Sequence, residues 1–171
     1  MRAFAGNGYL LRTARVEVRL VYTAFLLLTL IGMLTMAAFQ LKHVGPTPGR
    51  IAAYYRGGER AGEMTFAKTF RELVEVTHFH SFIMGVIYLV LAHLFIATTV
   101  RPALKRWLIV AAFLGLAGDI VSPWLIVYVS GAFAPLLMVT WLGEWVSFGA
   151  FVFVPLVEMW AYGDRDDVPP E

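Results

Sequence analysis

No aspartate, glutamate, lysine or arginine occurs between Arg19 and Lys42 or between Glu75 and Arg101, and only Asp119, Glu144 and Glu158 interrupt the stretch from Arg106 to Asp164. A run of about 20 apolar residues, each adding about 1.5 Å of helix, crosses a hydrocarbon core of ~30 Å. The gaps are long enough to cross a bilayer, so they dictate a membrane-embedded chain before any motif is considered. Composition agrees: 59% of the 171 residues are hydrophobic and 15% are charged, whereas soluble domains average roughly 45–50% apolar and 25% charged residues.

Several chemistries are excluded at once. The chain has no cysteine, and a disulfide framework, a thiolate metal site, an iron–sulfur cluster and a covalently attached c-type haem all need one. A net charge of +2, with no Gly-rich phosphate loop and no serine elbow, argues against nucleic acid as a partner.

Four apolar runs, residues 20–41, 76–100, 107–129 and 133–159, predict an all-α integral membrane protein. The expected architecture is a four-transmembrane-helix bundle, a single membrane domain over residues 1–171, with a 34-residue outer segment (42–75) between helices 1 and 2. The first run is long for a signal sequence and reads as a retained span. Arg2, Arg12, Arg15 and Arg19, together with the three cations of residues 101–106, predict cytoplasmic N- and C-termini in the cell (inner) membrane. Tyr22, Trp107, Trp160 and Tyr162 then fall at the inner interface, and Trp124, Tyr128 and Trp141 toward the outer one.

In the outer segment, Gly45-Pro46-Thr47-Pro48-Gly49 and Gly57-Gly58 break regular structure, so residues 42–62 read as a loop. Beyond Thr65, Phe66, Phe70, Leu73 and Val74 recur at helical spacing, which predicts an interfacial helix or an outward extension of the second span. The connection from Ser130 to Ala132 is so short that the last two spans must form an antiparallel hairpin. Pro123 is expected to kink the third span. No internal repeat is visible.

Ionisable residues inside a span are costly and mark candidate sites. His78 and His93 lie 15 residues apart, hence only ~60° apart around the second span and about 22 Å apart along it, whereas His80 points ~140° away from His93. Two histidines on one face of one span can serve two stacked redox centres. In this feature the second span resembles the membrane b-type cytochromes, in which a helix bearing two histidines ligates two haems with partners from another helix. The resemblance covers this one span. It implies a haem b near the outer face, with His78 and either His43 or His80 as axial ligands and His93 as an inner ligand or quinone contact. His43, just past the outer end of the first span, stands level with His78 and His80. His93 has no histidine partner in this chain, which limits it to one haem. Gly85 and Ala92 leave a smooth surface beside these histidines.

A second reading uses the same end of the span. Glu75-Val76-Thr77-His78 has the Glu-x-x-His spacing of carboxylate-bridged metal sites. Glu75, His78 and His80, completed by His43 and Glu72, would suit iron, zinc or copper. A second Glu-x-x-His is absent, and Glu72 and Glu75 have Lys68 and Arg71 nearby as solvated partners.

Asp119 and Glu144 are expected ~12 and ~16 Å below the outer edge, facing one another across the last hairpin. An unpaired charge there costs about 2.5–3.5 kcal/mol, so each carboxylate must be paired, hydrated or neutral. They form either a proton path or a structural lock bonded to Thr140, Trp145 or Ser147. Glu158, at the inner boundary, is assigned no role.

Three functions follow as expectations. The first is a membrane electron-transfer subunit that links quinone to an external redox partner, a c-type cytochrome or other subunits of a membrane complex, docked at Arg50, Tyr54, Tyr55 and Arg56. The second is a cofactor-free accessory subunit. The third, a proton-coupled carrier using Asp119 and Glu144, is disfavoured by the absence of inverted repeats.

Overall fold

The computed structural model describes residues 9–60 and 63–162; Arg2, one of the N-terminal cations, lies outside them. Four helical rods are long and apolar enough to cross a membrane: Val16–Val44, Phe70–Ile96, Pro102–Tyr128 and Gly131–Ala161. They are built from α1 (Val16–Phe39) with a π-helical turn (Gln40–Val44), α3 (Phe70–Phe79) joined to α4 (Gly85–Ile96) by a second π-helical turn (His80–Met84), α5 (Pro102–Tyr128), and α6 (Ala134–Ala161) after a short 3-10 turn. The rods alternate in direction. One end of the bundle carries both termini of the described chain and the α4–α5 turn, and is here the terminal face. The opposite end, the loop face, carries the segment between the first two rods.

That segment is more ordered than its glycines and prolines suggest, which corrects the loop expected over residues 42–62. Pro48 stands at the first position of α2 (Pro48–Arg56), and the Thr47 hydroxyl accepts from the Arg50 N–H at 3.4 Å. Proline at a helix start forfeits only a donor that lacks a partner there anyway. Gly57 ends α2 with φ at 78° and starts an antiparallel hairpin of β1 (Gly57–Arg60) and β2 (Glu63–Phe66). A Cβ at Gly57 would sit 2.7 Å from the Ala67 backbone nitrogen. Phe66 is therefore a strand residue, and the helical spacing begins only at Phe70. There Thr69 and Glu72 form a reciprocal capping box, so the second rod starts earlier than the hydropathy boundary at Val76 and stops at Ile96 instead of Val100.

Tyr54 and Tyr55 pack half-buried against a small core of Val44, Ile51, Ile126, Ala134 and Leu137 beneath α2. Arg56 donates to the Ile126 and Val127 carbonyls at 2.9 and 3.1 Å, satisfying acceptors that the end of α5 leaves open. Tyr54, Tyr55 and Arg56 thus also prop the loop face, while the Arg50 and Arg56 side chains remain exposed on it. The larger core lies toward the terminal face and includes Leu26, Tyr88, Leu91, Phe95, Leu116, Phe148, Phe151 and Met159.

α5 and α6 form the expected hairpin, and small residues set its spacing. A Cβ on Gly118 would run into Thr140 Cγ2, and one on Gly115 would meet Glu144 Cγ at 2.8 Å. Such close approach is how helices associate in lipid, where apolar side chains gain little by leaving the bilayer. Glu158, assigned no role above, is buried instead. Its Oε1 accepts from the Thr99 backbone N–H at 2.5 Å and from the Thr99 hydroxyl at 2.6 Å, tying the α4–α5 turn to α6. Lys105 closes the same turn by donating to the Ile96 and Thr98 carbonyls.

Candidate functional site

Between the two apolar cores lies a layer of polar side chains contributed by all four rods: Gln40, His80, Asp119 and Glu144. Counted along the helices, His80, Asp119 and Glu144 stand about 15 Å from the loop-side ends of their rods. Gln40 and His80 each open a π-helical turn. The extra residue of a π-turn shifts side-chain direction locally, and such turns recur at functional sites. At His80, Nδ1 lies 3.0 Å from the Val76 carbonyl. A carbonyl only accepts, so Nδ1 carries the hydrogen and Nε2 keeps its lone pair while the ring is neutral. A carbonyl holding one ring nitrogen in this way also sets the orientation of the ring.

Asp119 accepts from the Trp141 indole N–H at 2.8 Å, which locks α5 to α6 at the level of the site. Glu144 is buried, and its Oε1 has no hydrogen-bond partner among the described residues. Burying a carboxylate oxygen with no partner is unfavourable by the full desolvation of that group. The lock expected from Thr140, Trp145 or Ser147 is made differently: Thr140 donates to the Leu137 carbonyl, the Ser147 hydroxyl is itself buried without a partner, and Trp141 is the residue that engages Asp119.

Two adjoining cavities meet at this layer and share Met36, Gln40, His80 and Asp119. The first, of about 340 Å³, opens toward the loop face past Tyr55, Lys68, Glu72 and Glu75. Its rim is charged: Lys68 pairs with Glu72 at 3.0 Å, stands 5.0 Å over the Tyr54 ring, and lies beside Arg71 paired with Glu75 at 2.8 Å. Burial, and after it the charge of Asp119, push the Tyr55 phenol above its ordinary range. The second cavity, of about 510 Å³, runs the other way along α1 past Met33, Gly32 and Phe25 and reaches Met84, Ile87, Glu144 and Trp145.

The histidines separate. Only His80 lines these cavities. His43 is exposed and stacks on Phe39, His78 is exposed against Phe82, and His93 is exposed with its Nδ1 2.8 Å from the Leu89 carbonyl. Glu75 turns to Arg71. Among the described residues no group of three or more His, Asp or Glu side chains gathers to hold a metal ion, so Glu75, His78 and His80 are not brought together as the metal reading expects. A haem between two imidazoles of this one chain needs a facing pair. Of the four histidines, the two cavities take in His80 alone.

Gln40 joins the site without having been singled out from the sequence, Trp141 and Tyr55 join it from expected roles at the outer interface and in docking, and Trp124, expected only as an interfacial anchor, donates to Thr77 of the second rod at 2.9 Å. No curated protein and no solved structure matches the chain. Residues 45–166, which carry α2 to α6 and three of the four polar side chains, match the profile of the Aq_1264_TM family, described as a transmembrane helical domain, and the chain belongs to that family.

Proposed function

We propose that this chain is the membrane subunit of an electron-transfer assembly whose intramembrane cavity takes the head group of a quinone. The observation that carries the reading is the meeting of a neutral-capable imidazole, two carboxylates and an amide in one cavity at membrane depth, with Glu144 Oε1 buried and lacking a protein partner. Polar groups of that kind are costly in hydrocarbon and are kept there for binding or proton relay. His80 Nε2 and the Gln40 amide suit the two carbonyl oxygens of a quinone. Oxidation of a quinol releases two protons and two electrons. The protons pass to Asp119, Glu144 and His80 and leave past Glu72 and Glu75 toward the loop face, and the electrons pass one at a time to external one-electron acceptors, two c-type haems or two such centres of a neighbouring subunit for each quinol.

The positive-inside pattern supports cytoplasmic termini in an inner membrane, which sets the loop face on the outer side, where such an acceptor docks. A b-type haem belongs to this reading only at a subunit boundary, where exposed His78 and His93 each offer one ligand and a neighbouring chain supplies the other. Solvent extraction of the protein purified from native membranes is expected to yield quinone at close to one per chain. Asp119→Asn and Glu144→Gln are each expected to weaken quinone binding tenfold or more while the helical circular dichroism is unchanged. A reduced-minus-oxidised visible spectrum of the same material tests the haem. Quinone-free protein that binds no added quinone overturns the reading.

A further inference from the structure

The 510 Å³ cavity gathers its ionisable and amide groups at one end, and Thr29, farther along, turns its hydroxyl to the Phe25 carbonyl at 2.7 Å. From Gln40, His80 and Asp119 it follows α1 past Met36, Met33 and Gly32 to Phe25, a distance of about 22 Å along the helix. Its far end is apolar, and one of its walls is α1, of whose most hydrophobic stretch only 11% is buried. That helix is gripped at its two ends. At the terminal face Trp160 donates to Thr23 at 2.9 Å, and at the loop face Gln40 and Val44 are buried. In between, a Cβ on Gly32 would find no atom within 4 Å.

A groove with hydrogen-bonding groups at one end and roughly three helical turns of apolar wall beyond them matches an amphiphile with a compact polar head and one long chain. We infer that this groove holds the apolar tail of the quinone, and that the tail enters from the bilayer past the middle of α1. The inference rests on the quinone reading above and adds to it the ligand class, a long-chain quinone with an isoprenoid or alkyl substituent. Met33, Met36 and Met84 fit the tail well, because unbranched thioether chains adapt to an irregular apolar partner. The chain is continuous with the polar layer because both cavities share His80 and Asp119, so head and tail are read by one connected site.

The test compares a decyl-substituted benzoquinone with the same ring lacking the tail, bound to the full chain in nanodiscs of fixed lipid composition, with concentrations taken in the membrane phase. Gly32→Trp adds an indole on the groove wall at a position where a Cβ has no atom within 4 Å. It is expected to weaken the tailed quinone at least tenfold and to leave the tail-less ring unchanged, whereas Asp119→Asn weakens both. Equal effects of Gly32→Trp on the two ligands, or no effect on either, overturn the tail site while leaving the head-group site standing. Failure of the wild-type protein to bind either quinone overturns the functional reading and this inference with it. A phospholipid retained through detergent exchange by the wild type and lost from Gly32→Trp identifies the groove as a lipid site instead, and likewise overturns the assignment.

Discussion

The first helix and the α5–α6 hairpin have similar hydropathy and opposite packing. In the most apolar stretch of the last rod 39% of the residues are buried inside the protein, against 11% in the first rod. The hairpin places Gly115 and Gly118 under Glu144 and Thr140 and buries Phe148, Phe151 and Val152. α1 has one glycine in its middle, Gly32, with nothing packed on it, and turns Leu27, Leu28, Ile31 and Leu34 outward. Hydrophobicity inserts both into the bilayer and does not decide which helix is held. In lipid, what holds a helix is close backbone approach and a few polar bonds.

Breaking the hairpin has the largest expected effect. Gly118→Leu forces four extra carbons into the space of Thr140, whose hydroxyl is tethered to the Leu137 carbonyl. Overpacking of this kind costs ~1–3 kcal/mol or more, and a steric-trap unfolding measurement in bicelles is expected to register it as lost stability together with lost quinone binding. The grip on α1 comes next. Trp160→Phe removes the donor to Thr23, a bond worth about 0.5–1.5 kcal/mol. It is expected to raise proteolytic access to α1, or thiol labelling of single cysteines introduced along it, while leaving the hairpin intact. Smallest is Ile31→Ala, at a side chain of α1 that is 60% exposed, which is expected to shift stability by no more than about 0.5 kcal/mol in the same assay. A loss comparable to that of Gly118→Leu would show that α1 is packed against another chain.

The spans were legible because the bilayer imposes their length, and the hairpin because three residues leave no alternative path. Even the partner of Asp119 was within reach: Asp119 and Trp141 stand eleven residues either side of Ser130, so an antiparallel hairpin centred there sets them level. Other features left no such trace. Thr47-Pro48 reads as a breaker in a Gly-rich run, yet the same pair starts α2, because proline disrupts a helix only from inside it. The two π-turns follow from no hydropathy period, and they set the directions of Gln40 and His80. Glu158 lay at a boundary where solvent was expected, but the α4–α5 turn folds over it. The angular argument did separate His80 from His93, and in the fold His80 faces inward while His93 faces out.

The Thr99–Glu158 clasp carries a consequence for how the molecule is made. The turn that it closes is synthesised some sixty residues before the carboxylate that closes it. Three rods must therefore wait in the bilayer with that turn unsealed, and the terminal face is completed only when the end of α6 arrives. A chain ending just before Glu158 would keep nearly all four rods and yet leave that turn unsealed, a natural mark for the quality-control proteases of the membrane.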